Sequence, residues 1–153
     1  MQPTLKKITK FQVAGLTVRT KNSDEFEPEK AQIPNLWNAL FATKSLEKIP
    51  HQPPVPAVYG VYANYESDAS GEYDLTVGAL IHAPSTEFEH VEIASGDYLV
   101  FEARGELPAA LIHTWGKIWA YFDQHPDIVR SYQTDFEQYA GAQAVDIYIG
   151  ITP

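Results

Sequence analysis

Two stretches of the chain repeat apolar residues at the spacing of a half-buried helix. Ile33, Leu36, Trp37, Leu40 and Phe41 stand at i, i+3, i+4, i+7 and i+8, which predicts a helix with one apolar face and Pro34 tolerated in its opening turn. From about Pro108 to Gln124, Leu111, Trp115, Ile118 and Phe122 form a second stripe, widened by Ile112 and Trp119. Elsewhere the apolar period falls to two, with β-branched and aromatic residues in excess. Strands are predicted at Leu5 to Ile8, Gln12 to Arg19, Val55 to Tyr65, Tyr73 to Ile81, Phe88 to Ile93, Tyr98 to Ala103, Ile128 to Thr134 and Ala144 to Ile151. Ser67 to Glu72 and Ser95 to Asp97 carry the small and polar residues of turns between neighbouring strands.

The order of these elements repeats. Tyr73-Asp74-Leu75-Thr76-Val77-Gly78-Ala79 reads against Val145-Asp146-Ile147-Tyr148-Ile149-Gly150-Ile151, with Asp on Asp and Gly on Gly. Upstream of each lies an aromatic followed by glutamate, Asn64-Tyr65-Glu66 and Asp135-Phe136-Glu137, and upstream again a Trp-bearing helix. Self-similarity of this kind marks duplicated units. The expected fold is α+β, a tandem ββαββ repeat with pseudo-twofold symmetry and mostly antiparallel sheets. It is read as one domain over 1–153, with a first repeat of about 1–83 and a second of about 84–153 meeting near Ala83-Pro84-Ser85-Thr86. One helix per half covers only one sheet face, so the helices are expected on one face and a ligand groove on the other. The charged stretch Thr20 to Ala31 and the proline-rich Ile49 to Pro54 are candidates for its rim.

Composition narrows the function. Eleven basic against twenty acidic side chains give a net charge of -9, which repels a phosphate backbone and argues against direct nucleic-acid contact. No apolar run is long enough to span a bilayer, and no h-region follows Lys6 and Lys7, so a cytoplasmic, non-membrane protein is expected. Zero cysteines remove disulfides and thiolate chemistry. The five histidines have no ligand spacing, and nucleophile elbows, phosphate loops and dinucleotide fingerprints are missing, so neither catalytic residues, a metal nor a cofactor is predicted. The glycines Gly15, Gly60, Gly78 and Gly150 are read as strand bulges or points of close sheet packing.

Aromatic residues are the informative excess, with nine Tyr, seven Phe and three Trp. Alternation in the last strand sets Asp146 and Tyr148 on the face opposite Val145, Ile147, Ile149 and Ile151. An acid beside rings attracts a lipophilic cation by charge and by cation–π attraction of roughly 0.5 to 2 kcal/mol per ring. Asp146 and Tyr148 head the candidate ligand residues on this argument. Glu66 and Glu137, each after an aromatic, follow as acids at strand ends, and Glu102 shares a strand face with Tyr98. Tyr62, Trp37 and Trp119 complete the aromatic candidates, with core packing the competing role for the tryptophans.

With these landmarks in order the chain resembles the GyrI-like effector-binding superfamily of AraC-type and MerR-type regulators. The resemblance is carried by Phe11-Gln12-Val13-Ala14-Gly15-Leu16, Gly96-Asp97-Tyr98-Leu99-Val100-Phe101 with Gly105, the Thr114-Trp115 to Trp119 helix and the closing Val145 to Ile151 strand. More narrowly, Ile33-Pro34-Asn35-Leu36-Trp37 and Tyr62-Ala63-Asn64-Tyr65-Glu66-Ser67-Asp68 look like the stand-alone effector-binding proteins encoded by integron cassettes. The resemblance implies a central acid, usually glutamate, neutralising a cationic ligand between rings. It departs from the common Glu-x-x-x-Pro ending, because this chain has Asp146 and Gly150, which leaves Asp146, Glu66 and Glu102 as rival central acids. No helix-turn-helix segment is recognised, so the expected role is a sensor of small, cationic, aromatic compounds that works alone, as a homodimer or through a DNA-binding partner protein. A superfamily hydrolase and a gyrase-inhibitor-like interaction partner are the alternatives.

Overall fold

In the computed structural model, which describes residues 2–55, 57–84, 86–141 and 143–153, the backbone forms one eight-stranded antiparallel sheet with helices on one face. The strands are β1 (Thr4–Ile8), β2 (Phe11–Lys21), β3 (Val58–Ala63), β4 (Glu72–Ile81), β5 (Glu89–Ile93), β6 (Gly96–Arg104), β7 (Arg130–Gly141) and β8 (Ala144–Ile151). The helices are α1 (Asn22–Glu25), α2 (Ile33–Ala42), α3 (Ser45–Lys48) and α4 (Ala109–Gln124). Both predicted amphipathic helices are therefore present, and the stretch Thr20 to Ala31 contains the short α1. Of the eight expected strands only β8 has the expected bounds; most of the others shift by one or two residues at an end, while β7 runs from Arg130 well past Thr134 to Gly141 and β3 is shorter than Val55 to Tyr65. The seam at Ala83-Pro84-Ser85-Thr86 includes Ser85, which lies outside the described residues. Among the described residues no helix is long and apolar enough to cross a membrane.

The order β1-β6-β8-β7-β3-β4-β2-β5 is unchanged in reverse when β1, β2, β3 and β4 are exchanged with β5, β6, β7 and β8. Each ββαββ unit thus gives its first strand to the other unit's edge, and the pseudo-twofold axis runs between β3 and β7. The ladder also corrects the alignment of the halves. With Asp74 equivalent to Asp146, Leu75 is equivalent to Ile147, and these pair with Tyr62 and Glu137. Tyr62, not Glu66, is therefore the repeat mate of Glu137. The loops before β4 and β8 differ in length, so counting through them shifts the match.

The face away from the helices is not an open groove. Phe11 on β2 lies 5.6 Å from Phe136 on β7, although three strand spacings in a flat sheet would separate them by about 14 Å. The sheet curls on itself, and the Tyr98 hydroxyl near one end donates to Ala94 O beyond β5 at the other, at 2.6 Å. The concave side is filled by Val13, Tyr59, Val61, Ile93, Tyr98, Val100, Phe136 and Tyr148. On the convex face α4 packs over β6 and β8 through Ile118 with Phe101, Ile147 and Ile149, and α2 covers β2 and β4 through Leu36 and Leu40 with Leu75 and Val77. The central β3–β7 strip lies between the two helices.

Candidate functional site

Alternation along β7 turns Asp135, Glu137 and Tyr139 to the helix-bearing side and Phe136 to the concave core. Glu137 is 1% exposed. Its Oε2 accepts the Tyr62 hydroxyl and the Trp115 indole N–H, each at 2.8 Å, and its Oε1 accepts the Tyr139 hydroxyl at 2.8 Å. These donors come from β3, α4 and β7, so both halves of the molecule converge on one carboxylate. No cation pairs with it among the described residues. Burial pushes the Glu137 carboxyl above its ordinary value, and the three donors offset part of that rise. Tyr62 and Tyr139 are held neutral, first by burial and then by the adjacent acid.

Rings close the space above the acid. Trp37 from α2 meets Tyr139 edge-on at 4.9 Å, and Trp115 meets Tyr62 at 5.4 Å. Trp119 lies one helical turn beyond Trp115, with centroids 6.3 Å apart, and Phe41 stacks on Trp37 at 6.0 Å. Gly60, opposite Glu137 on β3, makes room for this arrangement: a Cβ there would stand 3.1 Å from the Glu137 carboxylate and 3.4 Å from the Trp37 ring.

The outer rim comes from the segment after β2. Phe26 is 70% exposed yet faces Trp119 edge-on at 6.2 Å. Glu25 anchors it: its carboxylate accepts the Thr20 hydroxyl at 2.6 Å and the backbone N–H groups of Gln32 and Ile33 at 3.0 Å. The acid thus caps α2 from outside the helix, where a side-chain acceptor satisfies open N–H groups. Replacing Glu25 with Ala should cost about 1 to 2 kcal/mol, and a thermal melt showing an unchanged midpoint would refute this anchoring.

Two sequence candidates, Tyr62 and Trp37, stand at the Glu137 site, and Trp119 lies one ring further out against Trp115. The others lie elsewhere. Asp146 is ion-paired with Arg104 at 2.9 Å, as its repeat mate Asp74 is with Arg19 at 3.0 Å. Glu102 shares Arg104 and its side chain is 70% exposed. Glu66 sits in the β3–β4 turn, bonded through its backbone N–H to Glu72 O. Tyr148 stacks on Phe136 at 4.3 Å and Tyr98 bonds Ala94 O and Thr134, both inside the concave core. Trp115 and Tyr139 were absent from the candidates. The signal that could have found Tyr139 was the period-two run Asp135, Glu137, Tyr139 beyond the predicted end of the strand.

The molecule is similar to proteins of known structure or curated description. A structure of integron cassette protein VCH_CASS2, from the mobile metagenome of Vibrio cholerae, is 34% identical, with a TM-score of 0.86 over 99% of this chain and 96% of the other. The protein SAV2435 bound to tetraphenylphosphonium shares the fold at 16% identity, with a TM-score of 0.79 over 99% of this chain and 94% of that one. Putative transcriptional regulator protein YobU of Bacillus subtilis (strain 168) is 28% identical over 151 residues, 90% of each chain. The family description of integron-associated effector-binding proteins, Cass2, matches residues 4–151. With a duplicated ββαββ sheet, a buried acid at its axis and this match, the chain belongs to the Cass2 family of integron-associated effector-binding proteins.

Proposed function

We propose that the Glu137 cage binds one lipophilic, aromatic cation, and that the chain works in the cytoplasm as a sensor or carrier of such compounds. The observation that carries the proposal is a fully buried carboxylate that has three neutral donors and, among the described residues, no counter-ion. An ionised acid without a cation in such a place is unfavourable, and a ligand charge relieves it. The three donors occupy most of the carboxylate's lone pairs, so the complement is diffuse charge lying against rings, with little need for hydrogen bonds from the ligand. The fold relative that holds tetraphenylphosphonium supports a ligand of this chemistry. Entry requires the outer rings, Phe26, Trp119, Trp37 and Phe41, to part. A charge of -9 disfavours direct contact with phosphate by these residues, so an effect on transcription is assigned to a DNA-binding partner.

All three tryptophans belong to the cage, so intrinsic fluorescence is a direct probe of occupancy. Titration with tetraphenylphosphonium should quench it saturably, with one ion per chain by calorimetry. Neutral triphenylphosphine oxide should bind at least about tenfold more weakly than the like-sized methyltriphenylphosphonium cation, because one lost buried charge contact exceeds about 1.4 kcal/mol. Equal affinity for the neutral compound, or no saturation with the cation, would reject the proposal.

A further inference from the structure

A second acid is buried on the same strand face as Glu137, two residues away. Asp135 is 0% exposed, and its Oδ1 accepts the Gly150 N–H at 2.9 Å while its Oδ2 takes the Tyr65 hydroxyl and, at 2.7 Å, Arg130. The Arg130 side chain is itself only 7% exposed. Its guanidinium lies 4.5 Å from the Tyr132 ring centroid and 5.9 Å from that of Phe122, and Tyr65 meets Tyr132 edge-on at 5.4 Å. An acid, a tyrosine hydroxyl and ring faces are the components of the Glu137 cage, here with a cation already inside.

Two features show that the backbone is arranged to deliver that cation. Between Arg130 and Asp135 the β7–β8 ladder is interrupted: these residues pair with Ile151 and Ile149, so five steps along β7 oppose two along β8. Tyr132 within the bulge has φ +54°, a left-handed conformation that is uncommon for a bulky residue and marks a local constraint. The bulge folds Arg130 back over the acid and sets Tyr132 against it. The fit of donors is incomplete, because Arg130 Nε is buried without a partner. The guanidinium is therefore held by charge, one short contact and its flat face, features that any small guanidinium carries.

We propose that Asp135, Tyr65, Tyr132 and Phe122 form a second cation site, shaped for a planar guanidinium and filled in the native chain by Arg130, which leaves Glu137 as the buried acid open to a ligand's charge. The two sites are separated by Tyr73, whose ring lies between Tyr62 at 5.4 Å and Tyr65 at 5.8 Å. The second site stands independently of what Glu137 binds.

Truncating Arg130 to Ala should vacate it. The variant should melt well below wild type, and ethylguanidinium at about ten times its Kd should restore about 3 to 6 °C. Ethylammonium, compact and strongly hydrated, should restore less than half as much. Wild type and R130A/D135N should not respond to ethylguanidinium, whereas E137Q/R130A should respond as R130A does. If R130A does not fold alone, the recovered yield of folded chain on refolding with each ion gives the same comparison. An R130A that ignores ethylguanidinium, responds equally to ethylammonium, or keeps its response without Asp135 overturns the proposal.

Discussion

Replacing Glu137 with Gln should lower the affinity for a lipophilic cation on the order of 100-fold while leaving the cage intact. A unit charge about 5 Å from a buried carboxylate contributes roughly 3 kcal/mol at an effective dielectric near 20, and each 1.4 kcal/mol is tenfold in Kd. The amide can preserve the local bonding. Its oxygen can take the place of Oε2, accepting from Tyr62 and Trp115, while its NH2 faces Tyr139, whose hydroxyl can turn to accept instead of donate. The substitution thus removes charge with little change of shape. Truncating a single ring, as in Trp119→Ala, should weaken binding by only the roughly 0.5 to 2 kcal/mol of one cation–π contact together with its buried area. A calorimetric Kd for E137Q within about threefold of wild type would mean that the ligand's charge is met elsewhere.

The same substitution has a pH signature in the absence of ligand. Burial raises the folded-state value of Glu137 above the unfolded one, which is about 4.3 for glutamate. Between the two values the folded state binds more protons than the unfolded state, so stability falls as pH rises through that window. The amide introduced by E137Q does not titrate. The variant should therefore match wild type in melting temperature near pH 4, exceed it increasingly as pH rises to the folded-state value and keep that margin above it, other groups being common to both. Cation binding favours the ionised acid, so wild-type affinity should rise with pH across the same window.

Much of the fold was legible because duplication left its marks on strand termini and helix faces. Asp74 with Gly78 and Asp146 with Gly150 align the halves, and the stripes at Leu36, Leu40 and Ile118 do bury against the sheet. The curl of the sheet was not legible. Period two assigns Tyr148 and Val145 to opposite faces, but whether a face is wet or closed depends on how far the strands coil, a property of the whole ladder. The preference for Asp146 rests on the premise that the uncovered face stays open. The premise fails because Phe11, Tyr59, Tyr98, Phe136 and Tyr148 fill that face. Asp146 and Asp74 recur because each sits beside an arginine on a neighbouring strand, so their repetition reports sheet structure. Glu137 reads in the sequence as a strand end. Its burial becomes visible only when the ladder extends β7 and sets Glu137 opposite Gly60. The helices cover the flanking strands, and the carboxylate lies on the central strip between them, closed over by the Trp37 and Trp115 rings.

Gly78→Ala should be the most damaging small substitution in the sheet. Gly78 on β4 and Gly15 on β2 stand directly opposite each other, and the two backbones approach there more closely than side chains permit. A Cβ on Gly78 would fall 1.8 Å from Ala14 O, and one on Gly15 would fall 1.9 Å from Val77 O. The obstacle is backbone on both sides, so relief requires the β2–β4 ladder itself to separate. That ladder joins the core under α2 to the swapped strand β5. Overpacking of a core ordinarily costs about 1 to 3 kcal/mol; with no flexible group to yield, the expectation is about 3 to 5 kcal/mol, a lowering of roughly 10 to 15 °C for a chain of this length. Gly116→Ala in α4 supplies the contrast. A Cβ there meets nothing within 4 Å, and the gain in helix propensity should stabilise by about 0.5 to 1 kcal/mol. One methyl group added at each site should thus move the melting temperature in opposite directions. A Gly78→Ala protein that melts within about 3 °C of wild type would show that β2 and β4 do not approach as closely as described.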